Sequence, residues 1–208
     1  ASSGIGKEYV EAIYNRYPLL DEIWVVARRK ERLEELKASL GEKIRVVTAD
    51  VTKDEDINNI KALLTKSGAN IKLLVNNAGF GKIGNFKDLS TEENAGMVRL
   101  NCEALTVISS IALPLMEKGS KIINVCSIAS FAPNTRLAVY SSTKAYVMSL
   151  SRAMRDELKK DGINVLAVCP GPMDTEFLAV ANILKGTSRT FDTLPRVNPK
   201  KVAIASLK

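Results

Sequence analysis

The 208 residues predict an α/β fold built on a doubly wound parallel sheet. Three observations carry that prediction. Short apolar runs and amphipathic segments alternate about every 25 to 30 residues. The apolar runs show no in–out alternation, as expected of strands covered on both faces. Glycine or proline closes most of the amphipathic segments. With 46% hydrophobic and 25% charged residues, the composition fits one domain over residues 1–208 with a large core.

Taken in order, Gly4 and Gly6 lead into a helix over 7–17, ended by Pro18. Residues 22–27 read as a buried strand. A helix over 29–40 carries Leu33, Leu36 and Leu40 on one stripe and stops at Gly41. A strand over 43–48, a helix over 54–66 closed near Gly68, and a strand over 71–76 follow. Asn77 to Gly81 is a glycine-rich loop. Residues 91–117 read as one long helix, with Ser90 or Thr91 as N-cap and Pro114 bending or ending it. A strand over 122–126 precedes a helix over 140–161 stopped at Gly162. The strand over 163–169 ends at Pro170-Gly-Pro172. Short helices over 175–184 and 199–208 flank an irregular stretch, 185–198, that reads as a lid.

Composition also excludes. There is no histidine, which removes histidine-based triads and the commonest zinc sites, and no metal is expected. Acid–base chemistry must fall to Tyr, Lys, Asp, Glu or Cys. No unbroken apolar run reaches the roughly 18 residues of a membrane helix, and the start has no leader pattern. Cys102, Cys126 and Cys169 read as small buried residues of a reducing cytosol, so the chain is expected in the cytoplasm. The net charge is +7 and the pI about 9.3. Lys and Arg are interleaved with acids, as over 28–35, which reads as a solvated face rather than a nucleic-acid surface. The excess positive charge suits an anionic cofactor or acidic substrate carrier.

The candidate chemistry centres on Tyr140 and Lys144. Four residues apart on a helix, they share one face. A phenol has a reference pKa of about 10, and a nearby ammonium favours its phenolate. The same spacing also occurs on ordinary helices. Around the pair stand Ala1-Ser-Ser-Gly-Ile-Gly6, Asn76-Asn-Ala-Gly79, Asn101, Ser127 and Pro170-Gly-Pro-Met-Asp-Thr175.

In order and spacing this set resembles the short-chain dehydrogenase/reductase family, of Rossmann-like fold, from Ala1 to about Thr175. The first six residues match the end of the family's glycine motif. Its leading strand and Thr-Gly are absent from the sequence. Without that strand the sheet should be two halves with unpaired inner edges. The expectation is therefore that the natural chain begins upstream of Ala1 and continues past Lys208 to the family's last strand.

The resemblance implies a catalytic tetrad of Asn101, Ser127, Tyr140 and Lys144. Tyr140 would be the acid or base, its pKa lowered by Lys144, which also bonds the nicotinamide ribose. Ser127 would polarise the carbonyl. Asn101, a poor helix former, would bend its helix and hold a relay water. For the cofactor it implies Ser2, Ser3, Gly4, Ile5 and Gly6 at the pyrophosphate, where glycines and a helix N-terminus admit phosphate. Asp50 and Val51 would contact adenine, though Asp50 or Thr52 could equally cap the next helix. Asn77, Ala78 and Gly79 shape the adenosine side. Pro170 and Gly171 turn beneath the nicotinamide, and Thr175 bonds its carboxamide or the pyrophosphate.

Members using NAD carry an acid where this chain has Ala27. Arg28 and Arg29 follow, and a guanidinium suits the 2′-phosphate of NADP, so NADP(H) is favoured over NAD(H). The alternative is a solvated charge cluster. The implied activity is an NADP-dependent oxidoreductase interconverting a ketone or aldehyde and its alcohol. Its rival is a catalytically silent NADP-binding sensor or scaffold of the same fold. The pocket wall, over 128–137 and 179–198 with Phe131, Leu178, Ile183 and Phe191, suits an apolar carbonyl. A homodimer or homotetramer through the helices over 91–117 and 140–160 is the expected assembly, with no nucleic-acid partner and no membrane span.

Overall fold

The computed structural model describes residues 1–183, 186 and 193–208. Among the described residues, five parallel strands form two sheets. One pairs β1 (Ile23–Ala27) with β2 (Ile44–Thr48), in register from Ile23↔Ile44 to Ala27↔Thr48. The other runs β3 (Leu73–Asn76), β4 (Lys121–Val125) and β5 (Asn164–Val168), with Leu73↔Lys121 and Lys121↔Asn164 setting the register. The two sheets share no ladder. A cavity of about 900 Å3 runs between them, lined by Ile23, Val26, Leu73 and Val75 and by Val10 and Ile13. The expected two halves with unpaired inner edges are thus observed.

The helices follow their sequence signals. α1 (Gly4–Arg16) begins at Gly4, whose φ of +52° needs glycine, three residues before the expected start. α2 (Lys30–Leu40) stops at Gly41, and α3 (Asp54–Ser67) has three acids in its first turn and Gly68 in the left-handed region after its last. α4 (Thr91–Val98) starts on a capping box in which Ser90 Oγ accepts from Glu93 N and Ser90 N donates to Glu93 Oε2, each at 3.1 Å.

The helix then widens to a π-helical stretch, Arg99–Ala104, before α5 (Leu105–Ala112). Asn101 sits inside that stretch, as a bend there was expected. Pro114 tightens the last turn to a 3-10 helix, Leu113–Leu115, so the helix ends two residues short of the expected 117. Thr91–Leu115 is also long and apolar enough to cross a membrane, with mean hydropathy 1.3, contrary to the sequence reading. That reading counted unbroken apolar runs. The continuous helix reaches the threshold while carrying Arg99 and Glu103 on its exposed side. Its inner stripe, Met97, Asn101, Ala104, Leu105, Ser109 and Ala112, is buried.

α6 (Ala138–Leu158) begins two residues before Tyr140. α7 (Glu176–Val180) is short, and α8 (Pro199–Ser206) starts on Asn198, whose Oδ1 accepts from Lys201 N. α1 and α8 cover one face of the β3–β5 sheet through Ile5, Tyr9, Ile13, Ala203 and Leu207 against Ile123 and Val125. α5 and α6 cover the other through Leu105 and Val147 against Cys126. The carboxyl ends of all five strands point to one edge, where the site lies.

Candidate active site

β4 delivers Ser127 to that edge and α6 brings Tyr140 and Lys144 beside it. Ser127 caps a one-turn 3-10 helix, Ile128–Ser130, and its Oγ accepts from Ala129 N at 3.1 Å. The same hydroxyl faces Tyr140 closely enough to favour its phenolate. Tyr140 is buried, its ring 5.5 Å from Phe177 and pressed against Gly81, where an added Cβ would lie 2.8 Å from Tyr140 Cδ2. Gly81 therefore has to lack a side chain. Lys144 is also buried, and its Nζ donates to Val125 O at 2.8 Å. One of its three N–H groups is thereby spent and two remain.

The electrostatics depart from expectation. Burial pushes the Tyr140 phenol up to about 12, against the lowering effect of the Ser127 hydroxyl. Burial likewise pushes the Lys144 ammonium down. The expected depression of Tyr140 by Lys144 is therefore not found. Lys144 Nζ lies 5.9 Å from the ring centroid and bonds a carbonyl, while desolvation acts on both groups.

Asn101 is completely enclosed. Its Oδ1 accepts from Phe80 N at 3.0 Å, and its Nδ2 donates to Phe80 O at 2.9 Å and Thr143 Oγ1 at 3.0 Å. Its amide ties the glycine-rich loop to α6. A Cβ on Gly79 would lie 3.0 Å from Asn101 Oδ1 and 3.3 Å from Lys144 Nζ, so this glycine lets the loop close on both.

A cleft of about 840 Å3 runs along the strand ends. Ser2, Ser3, Gly4, Ile5, Arg28, Arg29, Asp50, Val51, Asn77, Ala78, Gly79, Ser127, Tyr140, Lys144, Pro170, Gly171 and Thr175 all line it. Of the expected residues only Gly6 and Asn101 do not, both being packed behind its wall. A Cβ on Gly6 would meet Asn77 Nδ2 at 2.6 Å. The turn from Ser2 to Gly6 leaves the N-terminus of α1 open to the cleft, which fits the pyrophosphate of a dinucleotide.

Asp50 is an Asx turn rather than the cap of α3, whose N-cap position is Lys53. Its Oδ1 accepts from Thr52 N and Thr52 Oγ1, at 3.0 and 2.7 Å. Burial raises the Asp50 carboxyl, but these bonds and Arg28, at 3.8 Å, leave it lowered overall. Arg29 donates to Ser2 and Ser3, and together with Arg32 it pairs with Glu176.

The pocket wall needs correction. Leu178, Ile128 and Leu137 line the cleft, but Phe131 is 64% exposed outside it and Ile183 is buried behind it. Phe191 and most of the expected lid, 185 and 187–192, lie outside the described residues. Phe80, Glu176 and Phe177, which do line the cleft, were missed. Cys126 and Cys169 follow paired residues of β4 and β5, and the contact between their thiols pushes Cys126 up, together with burial, and Cys169 down, against burial.

A model of the short chain dehydrogenase family matches residues 1–183. The chain belongs to that family. An uncharacterized oxidoreductase of Staphylococcus epidermidis is 32% identical over 178 residues, 84% of this chain and 76% of the relative. A short-chain dehydrogenase from Sphingobium yanoikuyae, solved with NADPH, is 31% identical with a TM-score of 0.84, covering 100% of this chain and 80% of that one. A 3-ketoacyl-(acyl-carrier-protein) reductase from Brucella melitensis, solved with NADH, is 27% identical with a TM-score of 0.85, covering 100% and 86%. The protein is thus an NAD(P)-dependent short-chain dehydrogenase/reductase.

Proposed function

We propose that this dehydrogenase is an NADP-dependent carbonyl reductase, acting on an apolar ketone or aldehyde and, in reverse, on the alcohol. The observation that carries the reading is that Ser127, Tyr140 and Lys144 line the same cleft as the glycine turn, with Lys144 Nζ held on Val125 O. Bound nicotinamide supplies or accepts the hydride. The chain's residues hold the substrate oxygen and move its proton. Ser127 donates to the carbonyl oxygen and draws charge onto it. Tyr140 gives that oxygen a proton as the charge builds. A phenol pushed up to about 12 stays protonated through the physiological range, so it can serve as the acid when the carbonyl is reduced.

The two remaining N–H groups of Lys144 serve the phenol oxygen and the nicotinamide ribose. Asn101 keeps Thr143, one residue before Lys144, and the Phe80 backbone in place. Ser2 to Gly6 receive the pyrophosphate, Asp50 and Val51 the adenine, and Asn77 to Gly79 the adenosine side. Pro170, Gly171 and Thr175 sit under the nicotinamide. Arg28 and Arg29 at the end of β1, with Ala27 in place of an acid, support NADP over NAD. Phe80, Phe177 and Leu178 give the substrate end an apolar wall.

Two copies would pair through the outer faces of α4–α5 and α6, where Val98 and Tyr146 are exposed. The free thiols fit a reducing cytoplasm. The test is NADPH consumption over a panel of 3-oxoacyl thioesters, steroid ketones and aromatic ketones. Turnover of at least one supports the reading. Tight NADPH binding with no consumption of any would replace it with a silent binding protein.

A further inference from the structure

Thr175 and Glu176 carry the chain from β5 directly over the glycine turn. A Cβ on Gly4 would lie 3.3 Å from Thr175 Cβ. One residue further, Glu176 reaches to the opposite wall of the cleft. Its Oε2 accepts from Arg29 Nη2 at 2.8 Å, and its Oε1 accepts from Arg32 Nη1. The Ser3 hydroxyl faces the same carboxylate, while Arg29 Nη2 also donates to Ser3 Oγ at 2.9 Å and Ser2 Oγ at 3.3 Å. The partners stand 147 and 144 residues apart in the chain, so no local structure explains the contact. The Arg29 and Arg32 bonds hold the Glu176 carboxyl down to about 2, so it is ionised throughout the working range.

Two guanidiniums and a hydroxyl around one anion are the coordination a phosphate monoester takes. Here a carboxylate of the chain takes it. We propose that Glu176 is an internal substitute for the cofactor's 2′-phosphate, a strap over the glycine turn that must release Arg29 and Arg32 before that phosphate can bind, and so limits NADP(H) affinity. This deepens the NADP reading and rests on it. Two anions cannot share the pair of guanidiniums without mutual repulsion. NAD(H), which has no 2′-phosphate, can leave both Glu176 ion pairs standing. Glu176 therefore opposes NADP(H) more than NAD(H) and narrows the preference that Arg29 creates.

The test measures NADPH and NADH dissociation constants by fluorescence titration for the full chain, for Glu176→Gln and for Glu31→Gln. Glu31 is an exposed acid of α2 outside the strap's ion pairs, so its variant makes the same change in net charge without breaking them. The expected result is that Glu176→Gln tightens NADPH about three- to tenfold, the scale of one or two surface ion pairs, and NADH less than about twofold. Adenosine 2′,5′-bisphosphate, a probe with the 2′-phosphate and no nicotinamide, should gain as NADPH does, and 5′-AMP should not. NADPH binding left unchanged or weakened by Glu176→Gln would overturn the proposal, as would an equal gain from Glu31→Gln. Wild-type protein that binds NADH but not NADPH would overturn the NADP reading itself, which separates the two failures.

Discussion

The two halves of the sheet solve different problems. In the β3–β4–β5 half, polar side chains are buried and partnered. Asn76 donates to Asn124 and Ser109, at 2.8 and 2.9 Å, and Asn124 donates to Ser151 at 2.9 Å, so a ladder of amides and hydroxyls joins α5, β3, β4 and α6. A second buried set runs from Asn101 to Thr143 and from Thr143 to the carbonyl of Tyr140, with Lys144 held on Val125 O. In the β1–β2 half, the polar groups that face the cleft are largely exposed and held by ion pairs, Arg28–Asp50 and Arg29–Glu176. Buried hydrogen bonds fix one geometry, because breaking one strands its partner away from water. Exposed ion pairs are weak and exchange easily. The difference teaches that, on the proposed function, the chemistry would be built on the rigid half and the choice of cofactor on the labile half.

The largest effect should come from the rigid half. Tyr140→Phe keeps the ring against Gly81 and removes the acid, so turnover should fall by about 10²- to 10⁴-fold with NADPH affinity little changed. The same variant checks the electrostatics. In protein titrated without added cofactor, the wild type should show a phenolate absorbance step near 12 that Tyr140→Phe lacks. The sign follows from burial: the folded value lies above the reference of 10, so Tyr140 favours the folded state below pH 10 and ceases to as pH rises toward 12.

Asn101→Ala should be next. It strands the Phe80 N–H and carbonyl and one bond of Thr143, and should lower unfolding free energy by about 2–4 kcal/mol in urea titration. A loss within about 0.5 kcal/mol would erase the distinction between the halves.

In the labile half, Arg29→Ala should weaken NADPH about tenfold and leave NADH and saturated turnover nearly unchanged. The smallest effect should be that of Glu22→Gln, which breaks the exposed pair with Arg45 at 3.3 Å and should move stability by no more than about 0.5 kcal/mol.

How much of this was readable beforehand divides along similar lines. The alternation of strands and helices, the gathering of Ser127, Tyr140 and Lys144 at one cleft, and the cleft-lining turns were legible, because each sits at a strand's carboxyl end or a fixed helix spacing. What was not legible depends on residues far apart in the chain. Nothing near Glu176 points to Arg29 or Arg32. Phe177 and Gly81 clamp Tyr140 only after α7 folds over the loop. The rise of the Tyr140 pKa comes from enclosure, whereas i, i+4 spacing to Lys144 suggests the reverse. Gly81 did leave a signal, as the second glycine of Gly79-Phe-Gly81, and a ring packed on bare backbone is one reason for such a residue. Phe131 misled because an aromatic near a predicted pocket was read as its wall, when the 3-10 turn at Ile128–Ser130 turns it outward.

The central claim is that hydride and proton meet on one carbonyl beside Ser127 and Tyr140. The most direct measurement uses NADPH deuterated at the transferring position, with the ketone panel and mass spectrometry of the alcohol. The account predicts one deuterium at the carbinol carbon with wild-type protein, and loss of that product on the same timescale with Tyr140→Phe. Deuterium retained wholly in the cofactor across the panel, or equal labelling by both proteins, would contradict it.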